Sequence, residues 1–155
     1  MNAFEVIGPA PLWRRFAAMA YDSVLIAAIW MVVAFVVLSL FGIEEARTID
    51  GEAVVLDPLY KNTLFIAMLL SAFTFFAWFW SHSGQTLGMQ AWKIKVQNPD
   101  GTAADLKSCL IRFVLAPVSL LFFGLGYITA LFDTQRRTWH DKVSKTCIVR
   151  VKIDP

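Results

Sequence analysis

Apolar positions along this chain gather into three long blocks. Residues 16–41, FAAMAYDSVLIAAIWMVVAFVVLSLF, carry one charge, Asp22. At about 1.5 Å per residue such a run crosses a hydrocarbon core roughly 30 Å thick with some tilt. Residues 64–80 carry no charge, are at the short end for a crossing, and finish in a cluster of rings that includes Phe76, Trp78 and Trp80. The third block, 109–132, is interrupted by Arg112, Pro117 and the Gly124-Leu125-Gly126 pair of breaks.

Between the blocks the pattern changes period. Residues 92–96 alternate apolar and cationic side chains, as do residues 147–153, and both read as strands. Asn98-Pro99-Asp100-Gly101 is turn chemistry, and 86–90 is a short interfacial turn. Gly8-Pro9-Ala10-Pro11 is predicted to stop regular structure before the first block. Residues 42–61 are acidic, with Glu44, Glu45, Asp50, Glu52 and Asp57 against Arg47 and Lys61; Asp50-Gly51 predicts a small hairpin there. The shortage of Lys and Arg places that loop outside, and Arg14, Arg15, Lys93, Lys95 and Lys107 place the N-terminus and the second loop in the cytoplasm.

Three full crossings would put the basic tail, with Arg136, Arg137, Lys142, Lys145, Arg150 and Lys152, on the outer side. A third block that enters and returns keeps the tail inside and lets the two strands pair, which a lone strand requires for its backbone groups. The expected fold is therefore an all-α polytopic membrane protein. It has two spanning helices (16–41 and 64–80), a third broken or re-entrant apolar element (109–132), and a small cytoplasmic β-strand pair (92–96 with 147–153).

Composition agrees. The chain is 57% hydrophobic and 17% charged, against about 45–50% and about 25% for soluble domains. Its 155 residues make one domain, and a net charge of +2 gives no reason to expect nucleic acid. The first block is too long for the h-region of a signal peptide and is read as a retained span. Cys109 and Cys147 have neither metal-ligand spacing nor a disulfide framework.

Candidate chemistry centres on Asp22. Arg15 lies seven residues away, two turns along one helix face and about 10 Å along the axis, so the pair is read as an intramembrane carboxylate tuned by an arginine at the helix mouth. The bland alternative is a structural ion pair that fixes helix position. Arg112 either snorkels toward the interface or faces Asp22. In residues 133–142, Asp133, His140 and Asp141 stand among cations. Thr138 and Asp141 match a capping box at the start of a short helix, while His140 beside Asp141 offers a proton relay, although adjacent helical residues do not face each other. His82 carries no motif. With no metal set, nucleophile triad or phosphate loop, no enzyme and no cofactor are expected.

Three segments together carry a resemblance: WRRFAAMAYD (13–22), GQTLGMQAWKIKVQNPDGT (84–102) and LFDTQRRTWHDKVSKT (131–146). The chain resembles the RDD family of bacterial membrane proteins, named for an arginine and two aspartates. Arg15 and Asp22 match the first two, and Asp141 the third, with Asp133 the alternative. The resemblance implies a multi-pass protein of the bacterial inner membrane that transports an unidentified ligand. Two functions follow as expectations. One is a homo-oligomeric transporter or ion exchanger in which Asp22 binds a proton or monovalent cation, Arg15 tunes it and Asp133 or Asp141 guards the cytoplasmic mouth. The other is a membrane scaffold or assembly partner that binds proteins or anionic lipid.

Overall fold

The computed structural model describes residues 4–41, 58–121 and 124–153. In chain order the elements are β1 (Phe4–Pro9), α1 (Leu12–Phe41), α2 (Pro58–His82), α3 (Leu87–Ala91), β2 (Ile94–Gln97), α4 (Leu106–Leu121), α5 (Leu125–Phe132), α6 (Trp139–Val143) and β3 (Cys147–Ile153). The acidic loop with its expected hairpin lies outside the described residues.

No proline or glycine interrupts α1, which at 30 residues is about 45 Å long. Pro58 opens α2, where its missing N–H goes unused. Both helices are long and apolar enough to cross a membrane. Only 11% and 17% of their most apolar stretches are buried, so most of that surface faces outward, as lipid contact requires. At its end α2 closes on Gly84, whose φ of +74° suits glycine and whose N–H donates to Phe79 O at 2.9 Å.

The third apolar block forms α4 and α5, which meet at a bend of 92°. Gly124, the first residue of the expected break, caps the start of α5 with φ +72°. Pro117 sits inside α4 without ending it.

The chain divides into two units, Met1–Ser23 with Phe75–Pro155, and Val24–Thr74. In the second, Trp30 Nε1 donates to Met68 O at 2.9 Å and ties the two helices together by a polar contact amid apolar side chains, while Ser71 Oγ donates to the same carbonyl at 2.8 Å within α2.

The first unit holds a three-stranded antiparallel sheet in the order β1-β3-β2. The expected pair forms, with Ile94 opposite Arg150 and Val96 opposite Ile148. The expected strand pair is corrected to three strands: β1, which ends at Pro9 within the expected stop, pairs along β3 with a bulge between Val6 and Gly8. Pro9 is tolerated because β1 is an edge strand and needs no donor there. Ile94, Val96 and Val151 are buried beneath the helical part of this unit.

Candidate functional site

The first turns of α1 carry Arg15, Met19 and Asp22 on one face, four and three residues apart. All the residues described below belong to the first unit.

The arginine and aspartate of α1 do not pair with each other, contrary to the sequence expectation. Arg15 Nη1 instead donates to Asp141 Oδ2 at 2.6 Å, its Nη2 to Arg136 O at 2.7 Å and its Nε to Ala10 O at 3.3 Å. Helical spacing put the two α1 residues on one face, but a long guanidinium reached the carboxylate of another element. Arg112 neither snorkels nor meets Asp22. It is 4% exposed, donates through Nη1 to Asp141 Oδ1 and, at 3.0 Å, to Thr146 Oγ1, and its guanidinium stacks 5.3 Å from the Trp80 ring.

Asp141 is thus gripped on both oxygens and fully enclosed. Its Oδ2 also accepts the Thr138 N–H at 3.0 Å and closes the expected capping box of α6. Burial would raise its pKa, but Arg112 and Arg15 hold it well below the ordinary carboxylate range.

His140 sits in α6 with Nδ1 3.2 Å from Ser119 Oγ and its ring edge-on to Tyr127 at 4.9 Å. Its Nε2 is 3.9 Å from Asp141 Oδ1, too far for a hydrogen bond. Burial, then repulsion from Arg112, pushes the imidazole down to about 4, so it is neutral at pH 7. Asp133 binds outside this cluster: it accepts the Arg137 N–H at 2.8 Å and pairs with Lys142 at 2.9 Å. Those contacts hold it at about 2 and fix the turn between α5 and α6.

Asp22 is 2% exposed and stands apart from these cations. Its Oδ2 accepts from Thr86 Oγ1, and its Oδ1 from the Gly88 N–H at 2.9 Å. Among the described residues it forms no ion pair. Thr86 in turn caps α3 by accepting from Met89 N at 3.2 Å. Gly88 is there for proximity: a Cβ on it would lie 2.8 Å from Asp22 Oδ1 and closer still to Ala18 O. Sequence reasoning missed Thr86 and Gly88 as partners, although both stand in the GQTLG segment that carried the family resemblance.

A cavity of about 230 Å³ opens among α1, the end of α2, α4 and α5. Asp22, Arg15, Arg112 and His140 reach its wall, together with rings of Phe76 and Trp80; Asp141 and Asp133 do not. The arrangement places a carboxylate without an ion-pair partner among the described residues on the wall of a largely apolar cavity that Arg15, Arg112 and His140 also reach. No group of three or more His, Cys, Asp or Glu among the described residues is placed to hold a metal ion.

The sequence model of the RDD family matches residues 9–145. The uncharacterized protein YxaI of Bacillus subtilis (strain 168) is similar, at 24% identity over 147 residues that cover 91% of this chain and 97% of that protein. No solved structure matches the chain significantly.

Proposed function

The chain belongs to the RDD family, and we propose that it is a non-enzymatic transporter or ion exchanger whose working group is Asp22. One observation carries this reading: Asp22 is buried in the first apolar helix, lines a cavity and lacks any cationic partner among the described residues. A carboxylate enclosed at membrane depth is costly to keep charged and unpaired, so it exchanges its charge for a bound proton or monovalent cation. Arg15 does not tune it directly. Its role, with Arg112 and Asp141, is to hold the wall of the cavity in place.

The protein works in the bacterial inner membrane as a multi-pass protein, with its N-terminus and basic sheet on the cytoplasmic side. Two long helices and one bent pair cannot seal a path from lipid, so the transporting unit is a homo-oligomer with Asp22 toward its interior.

A scaffold reading has its own observation. Asp22 accepts bonds from the first residues of α3 as a cap would, and a capping carboxylate needs no ion. Under that reading the charged residues set helix register, and the protein binds other proteins or anionic lipid.

Cation-dependent dissipation of a pH gradient in proteoliposomes separates the two. The wild type is expected to dissipate the gradient with a preference among Na⁺, K⁺ and Li⁺, and a folded Asp22→Asn protein to lose that activity. Equal behaviour of wild type and variant would refute the transport reading.

A further inference from the structure

We propose that the cavity is a binding site for a small apolar monocarboxylate, anchored by its carboxylate on Arg112 and the Trp80 indole N–H. This goes beyond the ion site at Asp22, and binding does not require transport.

Charge comes first. Arg15 and Arg112 share a single carboxylate, Asp141, so the trio carries one surplus positive charge in a buried setting. His140, neutral at pH 7, adds nothing to either side. A buried guanidinium is stable when an anion completes its fork.

The donors come next. Arg112 uses Nη1 for Asp141 and Thr146; its Nε and Nη2 take no hydrogen-bond partner among the described residues. Beside it, stacked against the same guanidinium at 5.3 Å, Trp80 is 6% exposed and its Nε1–H is enclosed without an acceptor. Enclosed polar groups of this kind are uncommon, because each costs the bond it forgoes. All three free positions are donors, so the ligand they fit offers acceptors. A carboxylate offers two oxygens in one plane, the match for an arginine fork.

Size and lining set the remainder of the ligand. A cavity of about 150 Å³ accepts benzene in another protein; here about 230 Å³ leaves room for one ring and a carboxylate. Phe76, Phe113, Pro117 and Leu120 line that space and give the ring apolar contact. Asp22 lies on the same wall, and a bound anion favours its protonated form because like charges repel.

Benzoate is the probe. Calorimetry on the detergent-solubilised full chain compares it with benzyl alcohol and benzylamine, which share the ring and differ in the head group. Benzoate is expected to bind about tenfold or more tightly than benzyl alcohol, because its anchor is charge-assisted. Trp80→Phe keeps the ring under Arg112 and removes the N–H; it is expected to weaken benzoate about tenfold and leave benzyl alcohol unchanged. Equal affinity for benzoate and benzyl alcohol, tightest binding of benzylamine, no binding of any probe, or a folded Trp80→Phe that binds benzoate as well as wild type would each overturn the proposal. If Trp80→Phe does not fold, the wild-type series decides alone. Benzoate binding without ion movement refutes transport and leaves this site standing; ion movement with no benzoate binding does the reverse.

Discussion

Arg15 and Asp141 stand 126 residues apart in the chain, yet their side chains meet at 2.6 Å. Arg112 takes the other carboxylate oxygen, so one acidic side chain joins α1, α4 and α6. Because all three groups are enclosed, each depends on the others for its solvation.

Asp141→Asn keeps the shape and removes the charge, leaving two buried guanidiniums without a counter-ion. The expected loss of stability is about 3–5 kcal/mol, read as a lowered unfolding temperature in detergent. Adding Arg112→Met to Asp141→Asn removes one orphaned charge and is expected to recover part of the loss. A single variant as stable as wild type would show that the network holds nothing together.

Gly88→Ala tests the approach of α3 to Asp22. The new methyl would meet Asp22 Oδ1 and the Ala18 carbonyl, so α3 must move away. Stability is expected to drop by about 1–3 kcal/mol, and Asp22-dependent flux to drop with it. Unchanged flux in the folded variant would remove Gly88 from the account of the site.

His140 predicts a pH effect with a definite sign. Its folded pKa, about 4, lies below the ordinary 6.5. The unfolded chain therefore takes up a proton first as pH falls, and stability present above pH 6.5 is lost between there and about pH 4. The full effect is on the order of 3 kcal/mol. His140→Gln is expected to flatten the decline in unfolding temperature between pH 7 and pH 5; an equally steep decline would assign the acid sensitivity elsewhere.

Lys145 follows the last turn of α6 with φ +53°, a left-handed position that costs a side-chained residue about 1–2 kcal/mol. Lys145→Gly is expected to raise the unfolding temperature, offset in part by the lost cation at the helix end. A lowered temperature would mean that the lysine side chain contributes more than the strain removes.

Much of the fold was legible because apolar periodicity is a local signal. The long apolar runs gave α1 and α2, the glycine break gave the 92° bend, and alternation at 92–96 and 147–153 gave β2 against β3. β1 escaped because it is short, bulged and ends in Gly8-Pro9, which read as a stop. At the site, Asp22, Arg15, Arg112, Asp141 and His140 were all named, but the partnership of Arg15 was not. Spacing along one helix reports which residues share a face, whereas the contact with Asp141 depends on tertiary packing across the unit. Trp80 went unnoticed as a site residue because aromatic rings at the end of an apolar helix have an ordinary interfacial explanation.

The claim that Asp22 exchanges a proton or cation is tested most directly by infrared difference spectroscopy of the protein in lipid. The account predicts a protonated-carboxyl band that disappears as pH rises or as the coupling cation is added, and that is absent from Asp22→Asn. Identical difference spectra for wild type and Asp22→Asn across the pH range in which both remain folded would contradict it, and Asp22 would then be a cap for α3 and no more.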